Sequence, residues 1–225
     1  MQFIHGIDPK DFFPCHNLAL CGKLSSPNAA ALLDPGLRYA HSPIQSSAIT
    51  DLRHGHPQTG VLSPRAAGEV VRGGILRASQ KIMNGLGEVE LMADATRDFA
   101  IRCSDAEIVF EEARRTVAPH ATSRLSCLYL AERTDDGHQM LRAMLGANCY
   151  ILDVRILLEL SRTRADSAWF DAYVNQPDDE LARNYWLGEQ FHHAGGNWEY
   201  LLEGVIEVEA AAQLSHIRRY GAKVA

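Results

Sequence analysis

The chain lacks most of the features that would announce a class. No apolar run approaches the ~18 residues of a membrane-spanning helix, so no membrane span is expected. Basic residues are in deficit, 22 Lys and Arg against 28 Asp and Glu, giving a net charge of −6 and a pI of about 5.9. That balance removes the broad basic field of a general nucleic-acid binder and leaves room only for a local patch. The start, Met1-Gln2-Phe3-Ile4-His5-Gly6, has neither a basic stretch nor a long apolar one, so no ordinary secretory signal is expected. The five cysteines are odd in number and include no Cys-x-x-Cys pair, and Cys127 and Cys149 read as small core residues. A reduced, cytoplasmic setting is the expectation, or delivery by a secretion system that needs no cleavable signal. There is no Gly-x-Ser-x-Gly elbow for a serine hydrolase. There is no phosphate loop either, because Gly73-Gly74 lies in a predicted helix and Gly85-Leu86-Gly87 follows no strand. His54-Gly55-His56, His192-His193 and Cys15-His16 with Cys21 lack further ligands at recognisable spacing, so no metal is expected.

What is present is ordinary globular composition, 46% hydrophobic and 22% charged over 225 residues, read as one domain across 1–225. Residues 2 to 7 read as a short strand with Phe3, His5 and Ile7 on one face. Residues 8 to 63 carry six prolines and read as loops with short helices, such as Ala29 to Leu33 with Asn28 as a cap. A mainly helical insertion follows at about 64–118. Its first helix starts at Ser63-Pro64, breaks near Gly85 and Gly87, and is followed by a second over Val89 to Phe99. A third starts at the capping box Ser104-Asp105-Ala106-Glu107 and ends before Pro119. Ser126 to Ala131 reads as a strand, Thr134-Asp135-Asp136 as the cap of a helix to about Leu145, and Asn148 to Val154 as another strand. Asp166-Ser167 and Pro177-Asp178-Asp179 open two short helices, the second holding Tyr185-Trp186, and Gly195-Gly196 is a loop. The fold class is therefore α+β, one sheet with a helical block inserted after its first strand.

The clearest pattern is Asn197 to Val208. Trp198, Tyr200, Leu202, Ile206 and Val208 alternate with Glu199, Leu201, Glu203, Val205 and Glu207, the period of a half-buried strand. Glu199 and Glu203 would stand about 13 Å apart at strand rise, beyond the ~5–9.5 Å of a glycosidase carboxylate pair. Glu203 and Glu207 read as a solvated face. Glu199 stands out because it follows a glycine loop and sits between two aromatics.

Ile4-His5-Gly6, Leu128-Tyr129-Leu130-Ala131 and Trp198-Glu199-Tyr200-Leu201 together resemble the ADP-ribosyltransferase superfamily, in its His-Tyr-Glu branch of diphtheria-toxin-like and poly-ADP-ribose-polymerase-like enzymes. The stretch from Ser123 through Glu203, with Ser123-Arg124, Tyr185-Trp186-Leu187-Gly188 and Trp198-Glu199-Tyr200-Leu201, also resembles an uncharacterised bacterial family. The first resemblance implies a split mixed β-sheet and a bacterial toxin or effector that transfers ADP-ribose from NAD to a protein or nucleic-acid acceptor. NAD is the substrate and no metal is needed. It implies Glu199, Tyr129 and His5 as catalytic residues. Glu199 would stabilise the oxocarbenium-like cation formed as the nicotinamide–ribose bond breaks. His5 would hold a ribose hydroxyl, Gly6 would admit the nicotinamide amide, and Tyr129 would stack on its ring. Arg124 would meet the pyrophosphate, with Ser123 and Ser126 hydrogen bonding nearby. Two departures bear on this: Gly137 stands where the branch has a serine, and Asn197 stands where arginine-specific members have Glu or Gln. The competing readings are an NAD glycohydrolase and a non-catalytic interaction or immunity protein. The latter predicts that His5, Tyr129 and Glu199 do not converge. A cognate immunity or target protein is the partner implied beyond NAD.

Overall fold

A computed structural model describes residues 1–33, 69–70, 72–77, 94–191 and 196–220. Its strands are β1 (Phe3–Ile7), β2 (Lys23–Ser25), β3 (Leu128–Glu132), β4 (Tyr150–Asp166) and β5 (Trp198–Val208). Its helices include α1 (Phe12–Cys21), α2 (Pro27–Leu33), α3 (Asp94–Val117), α4 (Asp135–Leu145), α5 (Ala168–Asn175), α6 (Asp179–Trp186) and α7 (Ala211–Tyr220). Residues 69–70 and 72–77 are also helical. The α+β class holds.

Every strand pairing among the described residues is antiparallel, not mixed. β5 pairs with β3, β3 with β1, β1 with β4, and β4 returns to β5, so four strands close into a small barrel with β2 added to β5. Closure removes the exposed edges that an open sheet of short strands would present. The inside is filled by the apolar half of each alternation, including Phe3, Leu130, Leu152, Val154, Tyr200, Leu202 and Ile206. The outside of β3 and β5 is covered by α3, α5 and α6, whose Phe110, Phe170, Tyr173, Tyr185 and Trp186 pack on Tyr129 and Leu201. α4 covers Ile4 and Ala131 with Met140 and Leu141.

The strand face read for Trp198, Tyr200, Leu202, Ile206 and Val208 is the barrel interior. Thr134 caps α4, its side chain accepting from the Gly137 N–H, and Asp178 caps α6 through the Glu180 N–H. Several expectations need correction. β4 does not stop at Val154 but runs to Asp166, because bulges at Leu157 and Leu160 break the period of two without ending the pairing with β5. Ser104 does not start a helix: it lies within the 24-residue α3, and its hydroxyl donates to the Val70 carbonyl at 3.3 Å. α2 begins at Pro27, with the Ala29 N–H reaching Ser26 Oγ at 3.4 Å, so Ser26 takes the place given to Asn28. The proline-rich segment also holds the ten-residue α1, with Pro14 in its first turn, where proline costs least. The predicted helix start at Ser63-Pro64, the break at Gly85 and Gly87, His54-Gly55-His56 and His192-His193 all lie outside the described residues. Among those described, no group of His, Cys, Asp and Glu could hold a metal ion, and no helix is long and apolar enough to cross a membrane. No disulfide joins the cysteines among the described residues.

Candidate active site around Glu199

β5 presents Glu199 on its outer face, where α3, the 3-10 turn Arg124–Ser126 and α6 converge on it. Glu199 is fully buried. Arg124, 1% exposed, is the hub of the surrounding network. Its Nε and Nη2 donate to the Glu107 carboxylate, each at 3.0 Å, in a bidentate pair. Its Nη1 donates to Glu199 Oε1 and to the Tyr185 hydroxyl, the latter at 2.7 Å. The Tyr185 hydroxyl donates in turn to Glu199 Oε1 at 2.6 Å. The guanidinium lies 4.1 Å from the Phe170 ring centre and within 5.3 Å of Tyr129 and Tyr185, a cation–π cage.

Burial alone would pull the Arg124 pKa down, but the Glu107 and Glu199 carboxylates more than offset this and hold it well above the usual value. Burial, with Glu199 adding to it, drives the Tyr185 phenol well above its usual pKa, so it remains a hydrogen-bond donor. Glu107 and Glu199 share the Arg124 guanidinium. One atom of the cluster has no counterpart: Glu199 Oε2 is buried and has no hydrogen-bond partner among the described residues. Glu199, Glu107 and Arg124 line a cavity of about 330 Å³ that also meets Arg72, Ser167 and Asp171. That size lies at the lower end for small-molecule sites.

The remaining predicted residues divide. Tyr129 shares the outer face with Glu199, but its hydroxyl donates to the Arg124 carbonyl at 3.0 Å, and the residue lines a different cavity. His5 pairs in register with Leu130, so its side chain points to the barrel side, opposite Glu199. The two backbones lie two strands apart, about 10 Å at ordinary strand spacing. The His5 Nδ1–H donates to the Tyr129 carbonyl at 2.7 Å. Burial lowers the His5 pKa, partly opposed by that carbonyl, and the ring is therefore neutral near pH 7. Gly6 is close to α4: a Cβ there would meet Leu145 Cδ1 at 2.5 Å, so the missing side chain makes room for a helix. Arg124 has no guanidinium edge left for a pyrophosphate. Ser123 Oγ donates to Glu111 at 2.7 Å and accepts the Leu125 N–H, which shapes the 3-10 turn. Ser126 is buried.

One feature does connect the separated residues. The β1–β3 ladder ends at His5↔Leu130, whereas β1 stays paired with β4 through Ile7. Beyond that point β1 and β3 part, and a second cavity lies against His5, Gly6, Cys127 and Tyr129. It shares Met144 of α4 with the Glu199 cavity.

Sequence reasoning missed Glu107 and Tyr185 as site residues, assigning one to a helix cap and placing the other on a short helix. The available signal was the spacing Ala100, Ser104, Glu107, Glu111, which puts two carboxylates on the buried stripe of one helix.

Fold and site together define an α+β protein with a small antiparallel barrel and a buried arginine–carboxylate centre on its outer wall. The family model described as "Protein of unknown function (DUF2441)" matches residues 80–214, more than half of the chain, and the chain belongs to that family. The matched stretch contains Glu107, Arg124, Tyr185 and Glu199, whereas β1 with His5 and Gly6 precedes it. No curated protein matches the chain.

Proposed function

We propose that the chain transfers ADP-ribose from NAD to a macromolecular acceptor with release of nicotinamide, and that Glu199 carries the reaction. The observation behind this is the Glu199 carboxylate of the cavity wall, with Oε1 fixed by Arg124 and Tyr185 and Oε2 buried without a hydrogen-bond partner among the described residues. A carboxylate held in that way is oriented before substrate arrives, and its open oxygen can take a ribose hydroxyl or face the cationic ribosyl carbon. Carboxylates outnumber guanidinium groups along this cavity, Glu69, Glu107, Asp171 and Glu199 against Arg72 and Arg124, which favours that cation and the pyridinium of NAD. The parting of β1 and β3 at His5 supports the split-sheet part of the ADP-ribosyltransferase reading. His5 and Arg124 act here as positioning residues: His5 ties β1 to β3 where the backbone ladder ends, and Arg124 orients Glu199.

The test is nicotinamide release from labelled NAD, with and without cell lysate, followed by mass spectrometry of what gains ADP-ribose. Glu199→Gln keeps the shape and removes the charge, and is expected to lower release by at least 100-fold with an unchanged melting temperature within a few degrees. Equal turnover by wild type and Glu199→Gln, or none by either, would exclude the proposal. Nicotinamide release without any labelled acceptor would identify an NAD glycohydrolase. A non-catalytic interaction protein is the second reading. It is favoured by one observation, the placement of His5 and Glu199 on opposite faces of the sheet.

A further inference from the structure

Arginine is unusual on the inside of a small barrel, and β4 places two there. Arg162 pairs in register with Leu202 and Arg164 with Tyr200, and both of those partners belong to the barrel core. Directly opposed residues share a face, so both arginines stand on the interior side, where the barrel opens beyond Phe3 and Tyr200. There they border a cavity of about 460 Å³ with Glu132 and Tyr200. It lies across β5 from Glu199 and shares no lining residue with the Glu199 cavity.

The arginines are held by aromatic faces. The Arg164 guanidinium lies 3.5 Å from the Trp198 ring centre, and Arg162 lies 5.4 Å from Phe3 and 6.0 Å from Tyr200. Stacking uses the flat face of a guanidinium and leaves its N–H edge for a planar or trigonal anion. Arg162 has Glu159 at 3.5 Å, a pair with both side chains at least one third exposed, which competes weakly with a bound anion. Arg164 has no carboxylate partner among the described residues. The one carboxylate in the cavity wall, Glu132, accepts the Tyr200 hydroxyl. Among the residues that line the cavity two guanidinium groups stand against one carboxylate, in a chain whose overall charge is −6.

We propose that this mouth of the barrel binds the phosphate group of a small molecule, with Arg162 and Arg164 as its two ligands. Beyond the hydrogen bond that Arg164 shares with the Tyr200 side chain, the two guanidinium groups keep N–H donors for charge-assisted bonds to a phosphate, and the aromatic rim restrains them. The site is independent of the Glu199 reading.

Isothermal titration with inorganic phosphate and with ribose 5-phosphate tests it on the full chain. Both probes should bind saturably. The double variant Arg162→Gln/Arg164→Gln should weaken binding at least tenfold, whereas Glu199→Gln should match wild type. Arg162→Lys/Arg164→Lys, which keeps the charge and loses the fork, should fall between them. Equal affinity for the two probes would assign recognition to the phosphate alone, and tighter ribose 5-phosphate would assign part of it to the aromatic rim. Two results would overturn the proposal: no saturable binding of either probe at millimolar concentration, or undiminished binding by a double variant whose circular dichroism shows it folded.

Discussion

Arg124→Leu is the sharpest test of how the site is built. The substitution removes the guanidinium that Glu107 and Glu199 share, and both carboxylates are at most 1% exposed. Breaking a buried ion pair by removing one partner costs about 3–5 kcal/mol. Losing the cation–π contact with Phe170 adds on the order of 1–2 kcal/mol. A total near 5 kcal/mol corresponds to a fall in melting temperature of roughly 10–20 °C for a chain of this length. Removing the charges together should reverse most of the loss: Arg124→Leu with Glu107→Leu and Glu199→Leu should recover at least half of it, because the cluster then holds no charge. Thermal melts by circular dichroism read both outcomes. The reasoning is refuted if Arg124→Leu lies within about 1 kcal/mol of wild type, or if the triple variant is no more stable than the single one.

Three further outcomes follow from single side chains. His5 has its pKa lowered by burial from 6.5. The unfolded chain therefore binds its proton first, and the stability His5 contributes at pH 7 is lost as pH falls below about 6.5 towards the lower folded value. His5→Gln should flatten that slope in melts between pH 5 and 7.5, and an identical slope would count against a buried neutral imidazole. Gly204→Ala places a Cβ 2.0 Å from the Leu158 carbonyl oxygen, in backbone that cannot swing aside, and should cost about 1–3 kcal/mol in urea unfolding. Gly6→Ala meets only the tip of Leu145 and should cost clearly less than Gly204→Ala, and the reverse order would be incompatible with the packing described.

What the sequence made legible follows from the range of its signals. The alternation from Trp198 to Val208 identified β5 and its buried face, because a period of two has one structural meaning over that length. Thr134 and Asp178 marked helix starts, since capping is a contact between near neighbours. β4 was cut short because its bulges shift the alternation twice, and a shifted period resembles an ending. Ser104 misled for a related reason: a capping-box spelling is local, but the Val70 carbonyl that occupies its hydroxyl lies 34 residues away. The site shows the same limit. Glu199 stood out from its flanks, but Arg124 was matched to an external phosphate. Nothing local reveals that Glu107, 17 residues earlier, and Glu199, 75 later, already occupy it.

The unpartnered oxygen of Glu199 bears on whether the cluster serves stability alone. A buried polar atom without a partner costs about 1–3 kcal/mol. Glu107 already neutralises Arg124 in a bidentate pair, and Tyr185 takes a further N–H. Glu199 supplies an acceptor to Arg124 and Tyr185, but it brings a second buried charge, and its Oε2 has no partner among the described residues. Stability would be served better by a neutral acceptor such as glutamine at this position. A site that must meet a cation or a hydroxyl needs what Glu199 supplies: a fixed carboxylate with one free oxygen at a cavity wall. Glu199→Gln should accordingly hold or raise the melting temperature while abolishing nicotinamide release. A variant that loses both would return Glu199 to a structural role.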